Sequence, residues 1–205
     1  MPTNVYRIKP QVHLFYEDEA TFGRTPELKN CWCPSKVRPD VPKQHVREYL
    51  TVYGATNPFD GEFFYMITRK EKPPPRKKGR RKKGEPPPPK IEKNKGFKSE
   101  QMNEFMKRLS EKYPNDQIVF VCDNAGWHKS QYIKAPSNIH MIFIPPYTPE
   151  MNPQEQVWRE LRTKGFNNKY FTTLKAVEET LIKTIESIPA SKYISITQQT
   201  WLSCS

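Results

Sequence analysis

The stretch QIVFVCDN, residues 117–124, decides how the chain is expected to fold. From Gln117 to Cys122 it is an essentially apolar run, which is typical of a strand covered on both faces. Asp123 follows that run directly. A carboxylate at the end of a buried strand costs free energy unless a metal ion, a hydrogen bond or a cation compensates it. The stretch therefore predicts a central strand that delivers an acid to one edge of a sheet.

A second acid stands in a similar setting in VHLFYEDE, residues 12–19. We expect a strand from about Val12 to Asp18, in which Val12, Leu14, Tyr16 and Asp18 share one face. Glu17 and Glu19 leave the choice of acid open, but strand parity favours Asp18 because its neighbours point to the other face. Asp18 is predicted to emerge where the strand ends.

The third acid is Glu155, in NPQEQVW at residues 152–158. Pro153 is a favourable first helical residue, so Glu155 is expected in the first turn of a helix. Each acid taken singly has a structural alternative. Asp18 could be a surface turn residue, and Asp123-Asn124 could form an Asx turn that ends the strand. Taken together, the three carboxylates predict a site for two divalent cations, Mg²⁺ or alternatively Mn²⁺. Such a pair, about 3.5–4 Å apart, supports in-line displacement at phosphorus.

The other segments predict an α/β domain with a five-stranded mixed sheet flanked by helices. Ligands collect outside the carboxyl ends of parallel strands in such sheets, where Asp123 falls. We expect an N-terminal arm at residues 1–11 and one domain at 12–205, interrupted by a disordered basic loop at 69–95. Strand character is also present around residues 31–33 and at 49–55, 62–68 and 139–144, and the last of these strands is expected to be buried. Helices are expected at 97–113 and 128–134, and two more after Pro153.

The charge of the chain favours a polyanionic partner. The formal net charge is +12 over 205 residues, and the stretch from Arg69 to Lys95 carries 13 Lys or Arg against three Glu. Seven of the 21 prolines lie in the same stretch, and proline runs with repelling like charges predict a solvated loop. Nucleic acid, here double-stranded DNA, is the expected partner.

The basic cluster of that loop has three open interpretations: phosphate contact, a nuclear localisation signal, or a tolerated insertion. Phosphate contact is favoured, and the predicted DNA-binding residues there are Arg76, Lys77, Lys78, Arg80, Arg81, Lys82 and Lys83. Outside the loop, the predicted DNA contacts are His128, Arg159 and Arg162. For His128 the alternatives are contact with the metal site and a structural role at a helix start. Trp158 is interpreted as a core anchor of the helix that carries Glu155.

The location of the protein is predicted from what the chain lacks. No signal peptide, transmembrane run or secreted disulfide pattern is recognisable, so we expect a soluble intracellular protein with no membrane partner. In a bacterium it would be cytoplasmic and nucleoid-associated, and in a eukaryote it would be nuclear.

Three segments carry a family resemblance: Asp18-Glu19, CDNAGWH at residues 122–128, and PYTPEMNPQEQVW at residues 146–158. They resemble the catalytic core of mariner-like DDE transposases, especially the bacterial insertion-sequence branch. The resemblance runs from about Val12 to Ile188, and the third segment is its most specific part.

The resemblance implies a ribonuclease H-like fold in which Asp18, Asp123 and Glu155 form a catalytic triad that holds two Mg²⁺ ions. It implies hydrolysis at transposon ends, which exposes a 3′-hydroxyl, and attack of that hydroxyl on target DNA. A TA target dinucleotide and a homodimer that processes two element ends are further expectations.

Two departures from the family pattern are visible. Glu155 follows Asp123 by 32 positions, slightly closer than usual, which indicates a shortened segment around Lys134 to Asn138. The family's helix-turn-helix modules have no room before Asp18. The chain is therefore expected to be a catalytic half: a second reading frame of a split transposase with a separate DNA-binding partner, a truncated copy, or an excised domain. An inactive or partner-dependent DNA-binding remnant and a structure-selective nuclease of the same fold remain the alternatives.

Overall fold

The computed structural model describes residues 10–30, 32–37, 40, 46–69, 97–146, 148 and 151–198. Its regular elements, in chain order, are β1 Val12–Gly23, β2 Tyr49–Thr56, β3 Phe63–Arg69, α1 Phe97–Lys112, β4 Gln117–Cys122, β5 Ile139–Phe143, α2 Gln154–Gly165, α3 Leu174–Glu186 and α4 Ala190–Thr197. Among these residues, no helix is long and apolar enough to cross a membrane.

The five strands form one mixed sheet in the order β3-β2-β1-β4-β5. β1, β2 and β3 are antiparallel neighbours, whereas β4 pairs parallel to β1 and β5 pairs parallel to β4. The predicted five-stranded mixed sheet is confirmed. The pairing of β1 with β4 extends only to Tyr16 opposite Val121, so Asp18 lies just past the point where the two strands part.

Helices cover the sheet on both faces. α1 places Met102, Phe105, Met106 and Leu109 against one face, and all four side chains are fully buried. The other face packs against α2, α3 and α4, in a cluster that includes Phe22, Val52, Trp158 and Leu181. The helical spacing of apolar residues in α1 is what predicts its buried stripe. The sheet is thus held rigidly between two cores near the ends of β1 and β4.

Two strands differ from their predicted form. β1 does not end at Asp18 but continues to Gly23, because residues 16–23 pair with β2 and Phe22 packs against α2. Asp18 therefore lies within a strand rather than at its end. β5 was predicted to be buried, but it is the edge strand, and Ile142 on its uncovered face is 52% exposed.

Other boundaries also need correction. Residues 32–37 form no strand, and residues 128–134 form successive turns with i→i+3 hydrogen bonds instead of a helix. Within the described residues up to 198, three helices follow Pro153 instead of two, because Pro189 in an extended conformation separates α3 from α4. Arg69 belongs to β3, and the rest of the predicted basic loop lies outside the described residues.

Candidate active site

Asp18 is held on β1 by a contact from another element. Its backbone pairs with Gly54 of β2, and its Oδ2 accepts a hydrogen bond from the indole Nε1 of Trp158 at 3.0 Å. Burial raises the pKa of Asp18 to about 6, and the negative charges of Asp123 and Glu155 add to the rise. The carboxylate is therefore fixed in direction and short of positive charge, as expected of a cation ligand.

Asp123 follows β4 and is oriented by two donors. Its Oδ1 accepts from the backbone N–H of Ala125 at 2.9 Å and lies 2.7 Å from Nδ1 of His128. The Asx turn considered from the sequence is thus present, and it is compatible with a site because the side chain remains 53% exposed. The turn orients the Asp123 carboxylate and still leaves it accessible to a ligand.

Glu155 is exposed in the first turn of α2, and the start of that helix is tied to the sheet by its two polar neighbours. Asn152 donates from Nδ2 to the carbonyl oxygen of Glu17 at 2.9 Å, and its Oδ1 accepts from the N–H of Gln154 at 3.1 Å. Gln154 accepts from Thr56 Oγ1 at 2.6 Å in a buried contact. The Asn-Pro-Gln sequence therefore anchors Glu155 to β1 and β2.

The three predicted acids meet in one cavity. Asp18, Asp123 and Glu155 all line a space of about 350 Å³, together with Asn124, Ala125, Ile144, Pro145, Pro146, Thr148 and Asn152. A second cavity of about 540 Å³ shares Asp18 and Glu155 with the first. The two cavities thus adjoin each other around the acids.

The second cavity holds the two described arginines that the sequence assigns to DNA. Arg159 is exposed and lines it. Arg162 also lines it, but this guanidinium pairs with Glu27 at 3.0 Å and stacks 5.3 Å from the Phe22 ring centroid. A phosphate would find Arg159 more available than Arg162.

His128 requires a correction. It was predicted to contact DNA, yet it is 2% exposed and lies between Asp123 and Glu19, with Nε2 3.9 Å from Glu19 Oε1. The buried His128 ring therefore contacts the Asp123 carboxylate from the interior of the protein and helps to orient it. The cluster at residues 76–83 lies outside the described residues, so its role stays a prediction.

The chain is similar to known proteins in both sequence and fold. Residues 81–178 match the family described as DDE superfamily endonuclease. That segment is therefore similar to a DDE superfamily endonuclease. The matched segment includes Asp123 and Glu155. Asp18 lies before that segment, and it is assigned to the site because it lines the same cavity as the other two acids.

Solved structures show the fold of the chain. The Mos1 transposase paired-end complex with left transposon end aligns with a TM-score of 0.61 at 14% identity, covering 90% of this chain and 51% of that one. The Mos1 mariner paired end complex with Mn aligns at 0.62 and 13% identity, with the same coverage. The Mos1 Strand Transfer Complex aligns at 0.57 and 13% identity, covering 91% and 50%. The predicted ribonuclease H-like fold is confirmed.

A curated relative matches a shorter part of the chain. The uncharacterized protein y4pE/y4sA of Sinorhizobium fredii (strain NBRC 101917 / NGR234) is 43% identical over 53 residues, which are 26% of this chain and 39% of that protein. The chain spans about half the length of the transposase chains that it matches in structure.

Sequence reasoning missed three contributions to the candidate site. It treated Trp158 as a core anchor only, did not assign Asn152 and Gln154 to the positioning of Glu155, and took Glu17 for a mere neighbour of the ligand. Glu17 is fully buried, and burial together with Glu19, Asp18 and Asp123 raises its pKa well above the usual value. The parity argument signals that Glu17 lies on the opposite face, but nothing in the sequence indicates how deeply it is buried.

Proposed function

We propose that this chain is the catalytic domain of a DDE transposase, which cuts and rejoins DNA phosphodiester bonds with the help of divalent metal ions. The observation that supports it best is the convergence of Asp18, Asp123 and Glu155 on one cavity of a ribonuclease H-like sheet. The family match and the transposase complexes among the similar structures support the same reaction class.

The donor set fits the metals proposed. Three carboxylates supply the oxygen ligands that Mg²⁺ and Mn²⁺ prefer. Burial, and to a smaller extent the charges of Asp123 and Glu155, raise the pKa of Asp18, and a bound cation would compensate its ionised form. Asp18, Asp123 and Glu155 would hold two such ions, which when bound activate the attacking hydroxyl or water and stabilise the leaving oxygen.

The other residues keep the acids in place. Trp158 directs Asp18, the Ala125 N–H and His128 direct Asp123, and Asn152 fixes the start of α2 below Glu155. Orientation of this kind is what makes in-line attack efficient, because misplacement of a ligand by about 1 Å can cost on the order of 100-fold in rate.

The DNA itself is proposed to run along the second cavity. Arg159 lines that cavity with Glu155, and its exposed side chain would meet a backbone phosphate there. The basic residues at 76–83 would add contacts that do not depend on sequence, each of which adds nearly one unit to the salt slope of binding. The proposed partner is double-stranded DNA, bound by a homodimer that holds two element ends. A separate helix-turn-helix protein is proposed to recognise those ends.

The test is cleavage and strand transfer on labelled duplex DNA with Mg²⁺ or Mn²⁺. Asp123→Asn and Glu155→Gln should abolish both reactions, since each removes a metal-binding charge with little change in shape. Glu179→Gln is the matched control, because Glu179 is an exposed acid on α3 that pairs only loosely with Lys175 at 3.5 Å. Cleavage retained in Glu155→Gln would overturn the triad assignment. Cleavage without joining to a second duplex would indicate a nuclease instead.

A further inference from the structure

The face of β1 opposite Asp18 carries a second group of acids. Glu17 points into the molecule and its side chain is fully buried, with 0% of the residue exposed. Among the residues that the structure describes, neither carboxylate oxygen of Glu17 has a hydrogen-bond partner. A buried carboxylate in this state is stabilised either by holding a proton or by binding a compensating cation. Asn152 binds only the backbone carbonyl of Glu17 and does not supply one.

Glu19 and His128 lie next to this carboxylate. One ligand atom each from Glu17, Glu19 and His128 can be chosen so that all three lie within 4.8 Å of one another. Ligand atoms about 2.0–2.2 Å from a zinc ion are ~3.4 Å apart in a tetrahedral site, so small rotations of the carboxylates suffice to close it. Glu19 also lines the cavity of about 540 Å³, and 16% of its side chain is exposed to solvent.

The orientation of His128 is that of a metal ligand. Its Nδ1 faces two acceptors of Asp123, the carbonyl oxygen at 3.0 Å and Oδ1 at 2.7 Å. The Nδ1 position therefore carries a proton, and in the neutral ring the lone pair of Nε2 faces the carboxylate side, 3.9 Å from Glu19 Oε1. A histidine that donates one ring N–H to a carboxylate or carbonyl and ligates through the other nitrogen is the common arrangement at protein metal sites.

We propose that Glu17, Glu19 and His128 form a second divalent-cation site, separate from the Asp18, Asp123 and Glu155 triad. Two carboxylates and one imidazole favour Zn²⁺ or Mn²⁺ over Mg²⁺, which prefers oxygen ligands alone. The ion balances the two negative charges and fixes His128, which in turn holds Asp123. The site has a positioning role, and it does not depend on the proposed transposase activity because its readout is ion binding.

The experiment measures Zn²⁺ binding to the full chain by competition with a chromophoric chelator, in the double variant Asp18→Asn with Glu155→Gln. That background disables the triad but leaves Asp123 and His128 unchanged. We expect one ion per chain to remain bound, and Glu17→Gln or His128→Gln added to this background should weaken its affinity at least 100-fold. His140→Gln is the matched control, since His140 is exposed on β5 and contacts Gln117 at 2.7 Å; it should bind Zn²⁺ as the background does.

A second readout guards against misfolding of a variant. Zn²⁺ should raise the melting temperature of the background variant, and Glu19→Gln, which alters a partly accessible ligand, should remove that rise while keeping the circular dichroism spectrum. Mn²⁺ binding followed by electron paramagnetic resonance should show the same dependence on Glu17. The proposal is overturned if the background binds no stoichiometric ion, or if a bound ion is unaffected by Glu17→Gln, Glu19→Gln and His128→Gln.

Discussion

The indole Nε1 of Trp158 donates a hydrogen bond to Oδ2 of Asp18 across 3.0 Å, and so links α2 directly to the acid on β1. The same ring is 2% exposed and makes edge-on contacts with Phe22 and Phe63. One side chain therefore serves both the core and the site. Glu155 lies three residues earlier on the same helix, so Trp158 couples the placement of two of the three acids.

Trp158→Phe should separate these two roles. The variant keeps an aromatic ring in the core but removes the donor, and hydrogen bonds to charged groups contribute about 1.5–3 kcal/mol. We expect metal-dependent DNA cleavage to fall by roughly tenfold or more at a temperature where the protein is folded. Phe22→Leu is the control, since it loosens the same aromatic cluster and leaves the hydrogen bond intact. Equal cleavage by Trp158→Phe and the wild type would refute a positioning role for the indole.

Gly54 lies directly opposite Asp18 in the β1–β2 pairing, and Trp158 occupies the space above it. A Cβ built there would be 2.4 Å from Cη2 of Trp158 and 2.8 Å from Cε2 of Phe63. Gly54→Ala should therefore lower the free energy of unfolding by about 1–3 kcal/mol, the usual cost of overpacking. Urea unfolding measures the loss. Gly126→Ala, where a Cβ would meet nothing within 4 Å, should leave stability almost unchanged. Similar losses in both variants would contradict the close approach of Trp158.

Asn152→Ala should affect both stability and cleavage. The variant loses a buried hydrogen bond to the Glu17 carbonyl and the cap on the Gln154 N–H, which together are expected to cost about 2–3 kcal/mol. Because these contacts anchor the start of α2, cleavage should also decline in protein that is still folded. The measurements are chemical unfolding and single-turnover cleavage.

Asn103→Ala is the matched control for that variant. Asn103 also makes two hydrogen bonds to backbone, with the Tyr132 carbonyl and the Lys134 N–H, both at 2.8 Å, but it lies on α1 away from the acids. Its loss should lower stability without altering cleavage by folded protein. If the two asparagine variants reduced cleavage equally, the anchoring role of Asn152 would be wrong.

Much of this arrangement is predictable from the sequence because it follows from local patterns. Alternation along VHLFYEDE selects Asp18 over Glu17, the apolar run at 117–122 predicts β4, and Pro153 marks the start of α2. Each of these signals acts within a few residues. The structure brings the three acids together at one cavity, as the combined pattern predicts.

The errors arise where contacts distant in sequence decide the outcome. β1 extends past Asp18 because β2 pairs with it, and β5, an edge strand of the described sheet, leaves Ile142 52% exposed. His128 is buried because the turn after Asp123 folds back on the Glu19 side of the sheet. Nothing in the local pattern of residues 122–128 indicates that direction. Arg76 to Lys83 lie outside the described residues, so their DNA contact stays a prediction.

Asp18→Asn should stabilise the metal-free protein at neutral pH. Burial raises the pKa of Asp18 from 3.8 to about 6, so the folded state holds this proton more tightly than the unfolded state does. The protonated acid contributes its stability below pH 3.8, and the contribution is lost as pH rises through about 6. A shift of this size corresponds to about 3 kcal/mol, because each pKa unit is worth roughly 1.4 kcal/mol. Asparagine has no charge to desolvate, so the variant avoids the loss.

The measurement is urea unfolding in EDTA between pH 5 and pH 7.5. The difference in free energy of unfolding between Asp18→Asn and the wild type should grow with pH and level off above the raised pKa. Glu179→Gln, an exposed acid on α3, should show no such trend. Saturating Mg²⁺ or Mn²⁺ should stabilise the wild type more than the variant, because the bound cation offsets the cost of burying the ionised Asp18 carboxylate. A difference in free energy of unfolding that stays constant across this pH range would mean that the pKa of Asp18 is not raised by burial.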